Sequence, residues 1–495
     1  MKGALTTNQK GSLLVEILIA VVILSLGISA AILLVFANQT LRVDAKTNNE
    51  ALLRAQKMIE DARANSRGNF ISVNSIATTT TSIYSSSTFV TDHSQCLKEF
   101  ASFVNWTGDG ARQQKIQLKT YLGDVSGSMA MGGDCNIFGP ATEWKNPKRF
   151  ASDTFNPGKP TAIDVLNRIA YLGEDKTPFF MTADTHGAIL GQSGGLFISY
   201  TNGFTALNKI NDLDSIKWQD PITNATKYYV FTAMNTSTNQ LKVIDVTDIY
   251  NPVNVATTSL SSCVTGSFPE GWRVQYYGKK LYLIARETAG PEFHIFDVSI
   301  PSSPVEYGSG CKGYSLNSTV ENMQIRDQVI GGISKRFAYL ATDQNNRELR
   351  VLDVTNPLAI TEVPAASQDL PGSQDGQSVF VIGNKLYFGR QSTPSGQDLY
   401  VYDISNPPAG LTLLGSQDIN AGVIDIRVAG RTIFLITSKS NKEVQIWDNE
   451  NLSNIKLVKE YNFTNIADKG MDYEADFLYV TGDATPNFQI LYDAP

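Results

Sequence analysis

The chain has 495 residues, of which 42% are hydrophobic and 18% charged, and its net charge is −7. This composition is typical of a globular protein with two or three domains, and it excludes disorder as the dominant state. No cluster of Lys and Arg with interleaved aromatic residues follows the first apolar segment. We therefore do not expect a nucleic-acid partner.

An apolar segment, 13–37, lies near the amino terminus and carries Glu16 as its only charge. About 25 residues in a helix are enough to cross a bilayer core of roughly 30 Å. Lys2 and Lys10 precede this segment, so the positive-inside rule predicts that everything after it lies outside the cytoplasm. A cleaved secretory signal is the alternative, but that class requires a small-residue cleavage site where this sequence continues as an amphipathic helix.

The start of this segment, Lys10-Gly11-Ser12-Leu13-Leu14-Val15-Glu16-Ile17, resembles type IV prepilins and minor pilins. The resemblance implies a leader at 1–11, cleavage by a prepilin peptidase between Gly11 and Ser12, and methylation of the new amino terminus. It also implies that Glu16 assembles the filament by pairing with the terminal amine of a neighbouring pilin subunit. Ser12 departs from the Phe or Met that the family usually has there. A stem helix is predicted over 12–66.

A small pilin-type region is predicted over 67–160. The Ser- and Thr-rich stretch at 72–91 predicts an exposed loop or edge strand, because it has few residues to bury. Two alternating runs, 104–110 and 115–122, predict a hairpin and resemble the small sheet that packs on the stem of minor pilins.

The sequence Asp-Val-Ser-Gly-Ser-Met at 124–129 is similar to the metal-binding motif that opens von Willebrand A domains. That domain requires a buried parallel strand before the motif, a helix directly after it and about 180 residues. Here a Gly- and Pro-containing loop follows instead. We predict a Gly/Ser turn in the pilin-type sheet, and no metal site.

The rest of the chain repeats. An aliphatic strand ending in Asp recurs six times, at intervals of about 45 to 56 residues, which is typical of propeller blades. The residues are Asp245, Asp297, Asp353, Asp403, Asp448 and Asp493. Ser or Thr and then Pro follow several of them, so we predict structural Asx turns rather than acid–base groups.

A seventh, degenerate copy is predicted to start at 196–198. The segments 162–165 and 169–173 read as the tail of a repeat, so we expect strands from both ends of the region to complete one blade and remove a sheet edge.

The sequences at 297–301, 353–357 and 403–407, such as Asp-Val-Thr-Asn-Pro, also resemble the LVIVD-repeat propellers found largely on bacterial surface and secreted proteins. The resemblance covers roughly 161–495. The predicted fold class is therefore mainly β: a long N-terminal α-helix, a small pilin-type α+β region and a seven-bladed β-propeller.

Four cysteines suit an oxidising compartment, and they can pair in three ways. Proximity in sequence favours Cys96 with Cys135 and Cys263 with Cys311. No C-x-x-C spacing, Walker loop, nucleophile elbow or His-Glu-x-x-His motif occurs, so we expect no catalytic residue, metal or cofactor.

The predicted function is that of a minor type IV pilin, not an enzyme, which displays the propeller for adhesion to a surface, cell or glycan. Its expected partners are other pilin subunits, the prepilin peptidase and the pilus assembly machinery. The expected location is the bacterial inner membrane before assembly and the extracellular pilus afterwards. One alternative is an uncleaved, membrane-anchored scaffold or sensor. Another is a propeller enzyme acting on extracellular polymer, which would need clustered carboxylates at the ring mouth.

Overall fold

The fold is described from a computed structural model, over residues 10–108, 112–135, 144–199, 208–260, 264–266, 269–286, 289–392, 396–463 and 470–494. It is mainly β, with 48% strand and 14% helix. The chain divides into two compact units. The first comprises 1–64, 74–90 and 100–120, and the second comprises 65–73, 91–99 and 121–495.

Helix α1 is a single element of 59 residues, Lys10–Gly68. Its segment Val15–Phe36 has a mean hydropathy of 3.0, is long and apolar enough to cross a membrane, and is not buried by the rest of the protein. The predicted stem, 12–66, agrees with the helix to within two residues at each end. A helical segment that buries none of its apolar side chains requires an apolar environment from elsewhere.

Four strands follow α1 and form one sheet in the order β1-β2-β3-β4. Their bounds are β1 Ile76–Thr81, β2 Tyr84–Ser94, β3 Leu97–Thr107 and β4 Gln113–Gly123. All of β1 is exposed, as predicted for an edge strand. The same prediction was wrong for 84–91, because these residues lie in β2, an inner strand that buries Tyr84 and Thr88. Strands β3 and β4 are neighbours, as the hairpin prediction requires.

The core of the first unit lies where the sheet packs on α1. The small side chains of Ala51 and Ala55 allow Tyr84, Val104 and Trp106 to approach the helix, and all five are buried. The helix presents two alanines one turn apart to this sheet, since residues four apart share a face.

After β4 comes a short helix, α2 Val125–Ala130, and then the strands of the second unit. In chain order these are β5 Pro147–Asp153, β6 Pro160–Leu166, β7 Ile169–Glu174, β8 Phe180–Asp184, β9 Gln192–Ser193, β10 Phe197–Ser199, β11 Ile210–Gln219, β12 Thr226–Met234, β13 Leu241–Asp245, β14 Val253–Thr258, β15 Glu270–Tyr277, β16 Lys280–Arg286, β17 Phe293–Asp297, β18 Val305–Glu306 and β19 Val320–Ile330. They continue with β20 Ile333–Thr342, β21 Leu349–Asp353, β22 Thr361–Glu362, β23 Gly376–Ile382, β24 Lys385–Arg390, β25 Leu399–Asp403, β26 Thr412–Gln417, β27 Val423–Ala429, β28 Thr432–Thr437, β29 Val444–Asp448, β30 Lys456–Tyr461, β31 Met471–Glu474, β32 Phe477–Thr481 and β33 Phe488–Asp493. Two 3₁₀ helices span Pro407–Ala409 and Leu452–Asn454.

Most of these strands form four-stranded antiparallel sheets from consecutive elements, such as β11-β12-β13-β14 and β19-β20-β21-β22. The first strand of each sheet packs against the first strand of the next, and β31 packs against β6. Clusters of buried apolar residues fill the space between neighbouring sheets. One of them joins Phe337 and Tyr339 of β20 to Val379 and Phe388 of the following sheet.

The last sheet is completed by a strand from far earlier in the chain. Its order is β31-β32-β33-β5-β9, with β5 antiparallel to β33. Closure by strands from both ends of the region was predicted, but the assignment of the segments was wrong. The closing strand is β5, which starts before the expected boundary at 161, and the segments 162–165 and 169–173 belong to β6 and β7 of the next sheet.

The position of the seventh copy was also wrong. Residues 197–199 form β10, the outer strand of the sheet β10-β8-β7-β6, rather than the start of a repeat. The equivalent of the other Asp-ended strands is β8, which ends at Asp184. Its sequence, Phe-Met-Thr-Ala-Asp, has fewer aliphatic residues than its counterparts.

Candidate functional site: an acidic cavity in the second unit

A cavity of about 630 Å³ lies within the second unit. The first strands of successive sheets, among them β6, β11, β15, β27 and β31, provide most of its wall, and the segment 131–134 contributes to it as well. Such a cavity is a natural place for a ligand, because several strands each offer side chains to it.

Alternation along the first strands explains why carboxylates face this cavity. Residues two apart in a strand share a face, so Asp212 and Asp214 of β11 point the same way. Strands β6, β27 and β31 each place one Asp on the wall in the same manner: Asp164, Asp425 and Asp472.

Each of these carboxylates also joins its strand to the next sheet by accepting a backbone hydrogen bond. The donors are Ser215 N to Asp164 (2.7 Å), Val274 N to Asp212 (2.9 Å), Tyr276 N to Asp214, Met471 N to Asp425 (3.0 Å) and Val165 N to Asp472 (2.8 Å). Since one oxygen of each group is used in this way, part of the acidity of the wall is architectural.

A disulfide-linked segment brings one more carboxylate, Asp134, to the wall. Cys135 is bonded to Cys96. The carbonyl oxygen of Gly132 accepts from Lys217 N at 2.5 Å. Gly132 has φ of +68°, and a Cβ there would lie 2.4 Å from Ile216 Cγ2. Glycine is therefore needed for this segment to lie so close to β11.

Three carboxylates converge at this point. One oxygen each from Asp134, Asp164 and Asp214 lies within 4.8 Å of the other two. The groups come from three separate elements: the segment after α2, β6 and β11. Three like charges at this separation repel one another.

The electrostatics of the wall follow from burial and this repulsion. Burial, and then the charge of Asp472, raises the pKa of Asp164 to about 7. Burial, and then the charge of Asp164, raises the pKa values of Asp134 and Asp214 well above their ordinary range. Arg427 offsets part of the charge, with Nη1 2.8 Å from Asp425 and Nε 3.2 Å from Asp472.

The wall on β15 and β16 has a different chemistry. The guanidinium carbon of Arg286 lies 3.9 Å from the centre of the Trp272 ring, and that of Arg273 lies 5.0 Å from it. Asn211 lines the same cavity, and its Nδ2 donates to Gly271 O at 2.8 Å. The cavity therefore combines an acidic side with a side formed by an aromatic ring and two arginines.

The residues predicted for processing and assembly lie in α1, far along the chain from this cavity. Gly11 and Ser12 fall in its first turn, where the backbone is helical but the side chains are outside the described residues, as are residues 1–9 of the predicted leader. Glu16 is helical and exposed.

The recurrent aspartates do not line the cavity. Asp245, Asp297, Asp353, Asp403 and Asp448 each end a third strand, and each accepts a hydrogen bond of 2.7–3.0 Å from the backbone N–H two residues later. This is the Asx-turn geometry that was predicted. Asp184 makes the same bond with His186 N at 3.0 Å. Asp493 differs, since it accepts from Asn146 N at 2.7 Å, next to β5.

One predicted cysteine pair, Cys96 with Cys135, is present. Cys311 is disulfide-bonded, and its predicted partner, Cys263, lies outside the described residues. A disulfide is consistent with a location outside the cytoplasm.

The prediction of a Gly/Ser turn at 124–129 was wrong. These residues form α2, and Asp124 is its N-cap, accepting from Gly127 N at 2.9 Å and from Ser126 Oγ at 2.7 Å. Asp and Ser are favoured at such positions because they satisfy the free N–H groups of the first turn.

Sequence reasoning missed the convergence of Asp134, Asp164 and Asp214. A local signal existed, because Ala-Ile-Asp-Val at 162–165 and Asp-Leu-Asp at 212–214 place acids at alternate positions within otherwise apolar strands. Nothing in the linear order indicates that Asp134 joins them, since its position depends on the disulfide and on contacts with β11.

Comparison with known proteins identifies a match to one repeat family over a short part of the chain. The family model for the LVIVD repeat matches residues 284–310, which include Asp297 and the turn after it. No curated protein matches the sequence.

Two solved structures match the chain at low identity and low structural similarity. The computationally designed protein Ika8 is 11% identical, with a TM-score of 0.43, over 70% of this chain and 99% of its own. U3-55K is 9% identical, with a TM-score of 0.44, over 70% of this chain and 98% of its own. Scores at this level carry no argument about function, and the supported relationship is that residues 284–310 are similar to an LVIVD repeat.

Proposed function

We propose that this protein is a minor type IV pilin whose second unit, a seven-bladed β-propeller, is displayed outside the cell as a binding head. The observation that carries the proposal is α1, whose apolar segment Val15–Phe36 is exposed throughout while its later turns bury Ala51 and Ala55 beneath a sheet. Pilins, which the amino-terminal sequence resembles, use a stem helix that needs apolar neighbours first in the membrane and then in the filament.

Glu16 supports the assembly role. An acidic side chain within a membrane helix costs about 2–3 kcal/mol, so its retention requires a partner. In a filament that partner would be the terminal amine of another subunit. We infer that cleavage occurs between Gly11 and Ser12 and that Glu16 then directs assembly.

The seven-bladed arrangement is supported by the sequence of contacts from β6 to β31 and back to β6. Pairing of β5 with β33 is the means by which such a ring is closed without an exposed sheet edge. A head of this size is too bulky to occur at every position of a densely packed filament. We therefore place it at the tip or at low abundance.

The acidic cavity meets one requirement of the enzymatic alternative, since carboxylates do cluster there. Binding remains the better explanation, because Asp164 and Asp214 each use an oxygen to hold the backbone of a neighbouring sheet.

The decisive experiment expresses the full chain in a piliated bacterium and compares Glu16→Ala with Asp61→Ala. Asp61 is an exposed carboxylate on the same helix, outside the apolar segment. We expect Glu16→Ala to lower the amount of protein in purified filaments by roughly tenfold or more, since about 1.4 kcal/mol corresponds to a factor of ten. Asp61→Ala should assemble normally.

Mass spectrometry of the amino terminus separates this proposal from the uncleaved scaffold. The expected mature terminus is a methylated Ser12. An intact Met1 in surface-exposed protein, or normal filament entry by Glu16→Ala, would overturn the pilin assignment.

A further inference from the structure

We propose that Asp134, Asp164 and Asp214 bind a calcium ion in the cavity of the second unit. The inference rests on the geometry of the cavity and does not depend on the pilin assignment. Oxygens of a calcium site lie 2.3–2.6 Å from the ion, so those on opposite sides are separated by about 5 Å at most. The three carboxylate oxygens, all within 4.8 Å of one another, fit around one such ion.

A buried amide gives an independent indication of a ligand. Asn211 is only 3% exposed and lines the same cavity, and its Oδ1 has no hydrogen-bond donor among the described residues. Because Nδ2 of this amide donates to Gly271 O, the orientation of Asn211 is fixed and Oδ1 is left as an acceptor. Gln324 Oε1 is a second such acceptor on the cavity wall. Buried acceptors without donors are uncommon, and a cation bound in the same cavity would satisfy them through its water ligands.

The donor set selects the kind of cation. The converging groups are carboxylates, with amide oxygens on the same wall, and neither His nor Cys is among the residues that line the described cavity. Zinc and copper favour nitrogen and sulfur ligands, whereas calcium takes six to eight oxygens in flexible geometry. The cavity volume of about 630 Å³ leaves room for water molecules to complete the coordination.

The charges around the three carboxylates also favour a divalent cation. Arg427, a cationic side chain of this cavity wall, is already shared between Asp425 and Asp472. A divalent cation would remove the repulsion among the other three carboxylates, which otherwise must be relieved by protonation.

Binding would also have a mechanical consequence. Asp134 belongs to the segment tied to Cys96 by the disulfide, whereas Asp164 and Asp214 belong to β6 and β11. An ion held by all three would cross-link this segment to two neighbouring sheets. Calcium would thereby fix one side of the cavity and reduce the local negative charge that a ligand meets, from −3 to −1 for the three ionised carboxylates.

The test uses the full chain, purified in detergent and freed of metal with a chelator. Calcium binding is measured by isothermal titration calorimetry, and the site is probed by terbium luminescence, for which the nearby Trp272 and Tyr276 serve as sensitisers. We expect one calcium per chain and one terbium site that calcium displaces.

Two variants and a control locate the site. Asp134→Asn and Asp214→Asn should each weaken calcium binding at least tenfold, and in the latter the amide oxygen can still accept from Tyr276 N, so the fold is retained. Asp245→Asn, which keeps its Asx turn, should bind calcium like the unaltered chain. Near-ultraviolet circular dichroism verifies folding of each variant.

Three results would overturn the proposal: no heat of binding at millimolar calcium, unchanged affinity in folded Asp134→Asn, or equal loss of affinity in Asp245→Asn. The first would mean that water satisfies Asn211. The others would place any bound calcium elsewhere on the protein.

Discussion

The first half of α1 and the strands of the second unit contain the same apolar residue types. These residues are exposed in the helix and buried in the strands. Leu34 of the helix is 72% exposed, whereas Leu340 of β20 is completely buried. The helix has one continuous apolar run, while the strands distribute their apolar residues over sheets that cover one another. The second unit therefore buries its own apolar side chains, whereas the helix requires an external apolar partner.

Polar groups show the same contrast. Glu16 lies in the apolar part of the helix, and the role proposed for it requires another subunit. In the second unit, some buried polar side chains have both of their polar atoms paired within the fold. His294, for example, is completely buried with Nδ1 2.7 Å from Glu306 Oε1 and Nε2 2.9 Å from Pro291 O. We therefore expect the apolar part of α1 to respond to assembly and the second unit to respond to substitution of its own core.

The largest loss of stability in the second unit is expected from a substitution in β5. Ala151 is completely buried. It pairs with Ile490 of the antiparallel strand β33 and with Gln192 of the parallel strand β9. Ala151→Asp would bury a charge without a partner, so we expect the free energy of unfolding to fall by about 3–5 kcal/mol.

Lys148→Asp is the matched control, because Lys148 lies on the same strand and is exposed. Denaturation of the full chain in detergent, followed by tryptophan fluorescence, measures both variants. Equal stability of Ala151→Asp and Lys148→Asp would mean that β5 does not hold the last sheet closed.

A second prediction concerns a buried acidic side chain of the second unit whose ionisation lowers the stability of the folded state. Glu174, at the end of β7, is completely buried, and burial raises its pKa to about 7 from an ordinary value near 4.5. The folded state therefore holds the proton more tightly than the unfolded state. Its contribution to stability is greatest below about pH 4.5 and is lost as the pH rises to about 7.

Glu174→Gln removes this dependence. Relative to the unaltered chain, the variant should gain up to about 3 kcal/mol of stability between pH 4.5 and pH 8, since each pKa unit corresponds to about 1.4 kcal/mol. Glu450→Gln, at an exposed position, should show no such gain. A constant difference between Glu174→Gln and the unaltered chain at both pH values would contradict the prediction.

The sequence predicted those features that are local along the chain. Continuous apolar periodicity predicted α1, and alternation predicted the hairpin of β3 and β4. The Asp-ended strands were recognised because their turns repeat the same short-range hydrogen bond. Cys96 and Cys135 were paired through their proximity, which is also a local criterion.

Features that depend on distant segments were missed or misplaced. The closing strand β5 lacks the sequence pattern of the repeats, so the more regular segment at 162–165 was chosen in its place. The acidic site requires Asp134, Asp164 and Asp214 to meet, and this follows from the packing of β6 against β11 and from a glycine contact at Gly132. Such convergence is set by tertiary packing and has no period to detect.

The smallest predicted effect tests whether the recurrent aspartates are architectural. Asp353 accepts from Thr355 N at 3.0 Å, directly after β21. Asp353→Ala should lower the free energy of unfolding by about 1 kcal/mol, the net value of one hydrogen bond, whereas Asp353→Asn should retain the turn and most of the stability. Chemical denaturation of both variants measures this difference. If Asp353→Asn were as destabilised as Asp353→Ala, the repeat would require the charge of the carboxylate rather than the Asx turn. The stability of the second unit would then depend on surface charge as well as on its buried core, and the comparison with the helix would have to include that charge.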